Sequence, residues 1–254
     1  MLNQSLIVAR KEIVDNLRDV RSVISSLLYA LMGPSVVLMV SVATRVDAVL
    51  IGMMSVFTLV AAFVGGMNVA MDTIAGERER QSLLPLLLNP VLRRDIVIGK
   101  WLAVSVFSIA GLTINLVGFA IVLGMRSTVG GLRPLLVAAG ILPLALLAAS
   151  LQLLISTVCR AAKEAQTYLS MLVFLPMGLG MFVVFFPGAA RSWYAFLPVL
   201  GQQLQLETWM RGSGAGASAC QSAAVLGCLT TILAFLILLV AANRLHRDEI
   251  IYGS

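Results

Sequence analysis

The sequence predicts an all-α integral membrane protein with six transmembrane helices, and three observations carry that prediction. Only 12% of the 254 residues are charged while 59% are hydrophobic, about half the charge of an ordinary soluble domain. The charges leave free windows at 22–44, 48–71, 101–125, 134–159, 165–190 and 212–243. Each window exceeds the ~20 residues a helix needs to cross about 30 Å of hydrocarbon. Lys and Arg are also unevenly placed: with the N-terminus inside, the cytoplasmic segments hold 13 of them and the outer segments 5. That bias places both termini in the cytoplasm. Continuous apolar runs exclude a β-barrel, whose strands would alternate. The windows fit one membrane domain over 1–254.

The elements follow in chain order. Residues 6–20, LIVARKEIVDNLRDV, carry Leu6, Ala9, Ile13, Leu17 and Val20 at helical spacing among charges. This predicts an amphipathic helix in the inner membrane interface, leading into span one. Span one is too long for the apolar core of a signal peptide and is expected to remain uncleaved. Residues 44–48 leave room only for a turn, so spans one and two form a hairpin. Pro34, Pro143 and Pro176 fall inside spans and are expected to kink them. The segment 188–211 is apolar and aromatic but too short to cross and return. Two readings fit it: a partial re-entry from the outer side before span six, or a surface loop. In either, Trp193, Tyr194 and Trp209 sit near the headgroups.

Composition also limits the chemistry. The net charge is +6, but the cations flank apolar runs and form no patch for nucleic acid; they serve membrane orientation. Cys159, Cys220 and Cys228 show no metal-ligand spacing and read as packing residues. There is no GxxxxGK[ST] phosphate loop, no GxSxG and no HExxH. The one histidine, His246, lies in the basic C-terminal tail. No catalytic group and no metal site is expected. The polar residues inside spans are Asn68, Asp72, Asn115, Gln152 and Gln166, which either join helices by hydrogen bonds or line a water-filled path. Asp72 lies one turn beyond Asn68, within reach of Arg78 or Arg80, so an ion pair and a part in translocation are both open to it.

One long polar interruption remains: AGERERQSLLPLLLNPVLRRDIVIGK, residues 75–100. With span two ending near Asp72–Ala75, Glu77, Arg78, Glu79 and Arg80 form a dense polar elbow on the cytoplasmic side. Leu83, Leu84, Leu86, Leu87 and Leu88 add an apolar ridge too short to span, and Pro90 ends it. A short cytoplasmic helix of this kind either docks on another protein or lies on lipid.

The stretch AGERERQSLLPLLLNPVLRRDIVIGKWLA resembles the segment after the second span in permeases of the ABC-2 family, in particular the NatB-like sodium-efflux branch. The matching residues are Gly76, Glu77, Arg78, Glu79, Leu84, Pro85, Leu86, Leu87, Pro90, Val91, Arg93, Gly99 and Lys100. ARKEIVDNLRDVRS also resembles that family's opening helix, through Lys11, Glu12, Leu17, Arg18 and Asp19. Thr44–Ala48 stand where that branch commonly has a large external domain. The resemblance implies the permease half of an exporter in a prokaryotic cytoplasmic (inner) membrane. It implies pairing with a second permease copy or a homologous permease, and with a separate ABC ATPase subunit that binds ATP and Mg. Gly76, Glu77, Arg78, Glu79, Arg80, Leu84, Leu87, Leu88, Pro90 and Arg93 would then couple to the ATPase. Asn68, Asp72, Asn115 and Gln152 would be the candidates for the translocation path. The exported species would be sodium, or else a drug, peptide, lipid or glycan. A secondary transporter or channel is the rival from another class, and the scarcity of intramembrane carboxylates weighs against it.

Overall fold

The computed structural model describes residues 2–43, 47–81, 92–124, 134–186, 192–211 and 217–245. Among them every regular element is helical. Six helices are long and apolar enough to span a membrane: Val20–Val42, Val49–Glu79, Arg94–Val122, Gly140–Val158, Ala162–Phe185 and Gln221–Arg244. An N-terminal helix, Leu2–Arg18, precedes them. A short helix, Leu200–Met210, stands between spans five and six.

The spans form a bundle around a central post. In span two 83% of the most apolar window is buried, against 22% in spans one, five and six. The outer ring therefore turns large apolar side chains outward: Leu28, Met39, Val42, Phe174, Phe185 and Leu239 are all exposed. In a bilayer such faces meet lipid or another membrane helix at no cost of hydration. Two apolar clusters hold the bundle. One gathers Met54, Leu59, Phe63, Phe119, Ile141, Leu144, Leu206 and Trp209. The other gathers Val69, Ile74, Val97, Trp101, Val104, Leu153 and Leu169.

Polar groups inside the bundle are accounted for locally. Thr58 donates to the Met54 carbonyl, Ser105 to Trp101 and Thr230 to Leu226, each one turn back. This satisfies a hydroxyl where water is absent. The indole of Trp101 donates to Ser150 Oγ at 2.9 Å, linking spans three and four. Each helix runs on through its internal proline, Pro34, Pro143 or Pro176.

Span two departs from a plain helix. It runs Asp47–Val64, turns at Gly65–Gly66, resumes over Met67–Ala70, widens to a π-helix over Met71–Gly76 and closes with Glu77–Glu79. A Cβ on Gly66 would meet the Val104 carbonyl at 2.8 Å, so glycine there lets span three approach the backbone. The expected end near Asp72–Ala75 is therefore too early. At 31 residues the span is roughly 46 Å long at 1.5 Å per residue, well beyond the ~30 Å apolar layer.

The N-terminal helix forms, with Ser5, Ala9, Glu12 and Asn16 as its buried side, while Leu6 and Leu17 of the apolar stripe are exposed. The polar face packs on the protein and the apolar face points away. The segment between spans five and six differs in part from expectation: Trp193 is exposed, but Trp209 is buried. A Cβ on Gly140 would meet the Trp209 ring, so that indole fills a notch in span four.

Candidate functional site

The junction where the N-terminal helix meets the end of span two and the start of span three collects most of the charged residues singled out above. Lys100, in the first turns of span three, has no solvent exposure. Its Nζ lies 3.0 Å from Glu12 Oε1 of the N-terminal helix and 2.8 Å from Glu77 Oε2 of span two. It also donates to the Thr73 carbonyl at 2.5 Å, an acceptor presented by the π-helical turn. Lys11 stands at the rim, 3.9 Å from Glu12 and 4.0 Å from Glu77. A buried ammonium is tolerable only with such a cage of counter-charge and hydrogen bonds.

The cage depends on close helix packing. A Cβ on Gly99 would lie 2.7 Å from both the Ser5 carbonyl and Val8 Cβ. Glycine at this point lets the N-terminal helix lie directly on span three, which brings Glu12 to Lys100. Ser5 adds a hydrogen bond to Asp95 Oδ1 at 3.2 Å.

Each charge of the GERER stretch has its own task. Glu77 takes Lys100. Arg78 donates to the carbonyls of Cys159 at 2.7 Å and Thr157 at 3.1 Å, capping the end of span four, where free carbonyls gather partial negative charge. Glu79 accepts from the Ala162 amide at 2.8 Å, the favourable sign for the first turn of span five. Arg80 reaches Asp72 Oδ1 at 3.7 Å. The Ala75 amide donates to Ser156 Oγ at 3.1 Å, a further tie to span four. Burial pushes the Cys159 thiol up, with Glu164 adding to the shift and Arg78 opposing it. That thiol stays protonated, as a packing residue would.

A cleft of about 350 Å³ opens beside the cage, lined by Lys11, Glu12, Asp15, Asn16, Asp19, Asp72, Glu77 and Arg80. The leucine ridge with Leu84, Leu87, Leu88 and Pro90 lies outside the described residues, as does the side chain of Arg93. The chain leaves span two through Gln81, whose φ of 57° is the left-handed cap that ends a helix. It returns at Leu92.

Three of the polar residues proposed for a path are each used between a different pair of spans. Asn68 donates to Ser25 Oγ at 2.7 Å, joining spans two and one. Asn115 donates to the Ala30 carbonyl at 3.0 Å, joining three and one. Gln152 donates to the Phe63 carbonyl, just before the glycine turn of span two. Gln166 is exposed on span five. Asp72 lies in the charged cleft.

Two groups escaped the sequence reading. Lys100 and Glu12 match the motifs, yet only the fold makes them partners. The signal was present in Lys100 itself, a lone cation directly ahead of a charge-free run. The second group is at the opposite ends of the spans. Gln203 donates to the Gly180 carbonyl at 3.0 Å and to Glu207 Oε1 at 3.3 Å. Ser55 of span two donates to the same carboxylate at 3.2 Å. Gln202 donates to Thr230 of span six at 2.9 Å. The short helix Leu200–Met210 thus fastens spans two, five and six together.

Comparison with known proteins agrees with this geometry. The family profile described as ABC-2 family transporter protein matches residues 6–242. The ABC transporter permease protein NatB of Bacillus subtilis (strain 168) is 39% identical over 136 residues, 48% of this chain. The match covers 34% of that protein, about a third of its length.

Proposed function

This chain belongs to the ABC-2 family of transporter proteins, and on that premise we propose that it is the permease subunit of an ATP-driven exporter. A separate ABC ATPase binds ATP and Mg and drives two permease chains in the cytoplasmic membrane of a prokaryote. The first substrate to test is sodium, from the likeness to the sodium-efflux branch; drugs, peptides, lipids and glycans follow.

One observation carries the reading. Both ends of the connection 81–92 are anchored in the same charged junction. Glu77, Arg78 and Glu79 fix its start to span three, the end of span four and the start of span five. Lys100 fixes its return to the N-terminal helix. A force applied to this connection by a moving ATPase reaches several elements at once. The unequal helix of span two, with its glycine turn and π-helical turn, lies between that junction and the outer half of the bundle. π-Helical turns frequently mark functional sites.

Leu87→Asp together with Leu88→Asp tests the coupling. If the leucines fill an apolar groove of the ATPase, two buried carboxylates cost on the order of 3 kcal/mol or more, at least ~100-fold in affinity. Purified from its membrane in mild detergent, the wild-type chain is expected to bring Mg-dependent ATP hydrolysis with it. The variant should insert normally and lose that activity. Undiminished co-purification and export would overturn the coupling role.

Orientation has its own test. Cysteines at Ser127 and Ser192 are expected to react with a membrane-impermeant thiol reagent added outside, while cysteines at Ser82 and Ala162 should not. Outside labelling at Ser82 would invert the arrangement.

A further inference from the structure

We propose that the outward face of the N-terminal helix is a binding surface for anionic phospholipid. Glu12 is buried, and Asp15 and Asp19 line the cleft together with Lys11. Arg10 and Arg18 are exposed and do not line it. They share the outward face with the exposed apolar residues Leu6, Ile7, Val14 and Leu17, the first two 53% and 65% accessible. At 100° per residue, Leu6, Arg10 and Leu17 fall on one line, and Ile7, Val14 and Arg18 on the next.

The placement identifies the occupant. The helix ends at Arg18 and span one begins at Val20, so this face lies at the membrane boundary. Its opposite side is packed on the base of span three through Ser5, Gly99 and Lys100. The leucines enter the level of the acyl chains nearest the headgroups. The arginines, their stems alongside, hold their guanidinium groups at the phosphates. Zwitterionic lipid satisfies the apolar residues alone. Lipid with net negative charge satisfies both, because cations beside a membrane are attracted by its surface potential. The inference rests on the transporter-subunit reading only for the leaflet concerned.

The test uses the full chain in nanodiscs, with Cys220→Ala and Cys228→Ala and a single fluorophore at Leu6→Cys. Phosphatidylcholine discs receive brominated phosphatidylglycerol or brominated phosphatidylcholine at equal mole fraction. Quenching by the anionic lipid is expected to be at least ~twofold stronger. Parity is expected in Arg10→Gln with Arg18→Gln, and the preference should return with lysine at both positions. Equal quenching in the unaltered face, quenching by neither lipid, or a preference that survives the glutamines would each overturn the proposal. Co-purification of the ATPase is expected to be untouched by the glutamine pair, so failure here is distinct from failure of the transporter reading.

Discussion

Replacing Lys100 with methionine is expected to lower the unfolding free energy by about 3–5 kcal/mol, the usual cost of stranding buried counter-charges. Methionine has nearly the volume of the lysine stem, so the loss is electrical and not a cavity. Glu12 and Glu77 would face one another without the ammonium that lies 3.0 and 2.8 Å away, and the Thr73 carbonyl would lose its donor. Thermal unfolding in detergent reads the effect. The triple variant Lys100→Met, Glu12→Gln, Glu77→Gln separates the causes. If stranded charge is responsible, neutralising both carboxylates restores most of the loss, a strong coupling of the kind expected for residues in one network. A triple variant no more stable than Lys100→Met would show that the lysine acts by packing.

Gly99→Leu is expected to be the next most damaging change. A methyl alone at this position would meet the Ser5 carbonyl and Val8 at 2.7 Å, and the former is backbone that cannot swing away. The N-terminal helix must lift, carrying Glu12 away from Lys100. Overpacking of this kind costs about 1–3 kcal/mol, with Gly99→Ala at the lower end. The cage supplies the diagnostic. In the wild-type chain Glu12→Gln should cost stability; in the Gly99→Leu background it should cost little, because the contact is already gone. Fully additive losses would mean that the helix stays seated and the glycine matters for another reason.

The number and approximate limits of the spans were legible because hydrocarbon imposes a minimum apolar length. The limits failed where charge was used as a boundary marker. Asp72, Glu77 and Arg78 remain helical, and Lys100 is buried, because each finds a partner inside the protein. A window of hydropathy registers a charge but not its counter-ion 88 residues away in the chain. The N-terminal helix and its periodicity were legible, and Leu6 and Leu17 of the apolar stripe are exposed; that Ser5, Glu12 and Asn16 form the side packed on the protein was not. Trp209 was assigned to the headgroups by residue type, and only the notch at Gly140 explains its burial. The GERER stretch was recognised as a motif from the sequence. That its charges cap two helices and close an ion cage could not be read from their order.

The cage at Lys100 also bears on how the protein is made. Its members arrive at the ribosome in the order Glu12, Glu77, Lys100, with two whole spans synthesised between the first and the last. A nascent chain that stops short of residue 100 holds two carboxylates with no cation to join them, and the N-terminal helix has nothing to seat it. Once span three is present, the lysine can join both carboxylates and tie three segments together. Spans one to three thus hold the whole clasp without any residue of span four. A chain truncated after residue 124 would already contain the complete clasp, whereas one truncated before residue 100 would remain open.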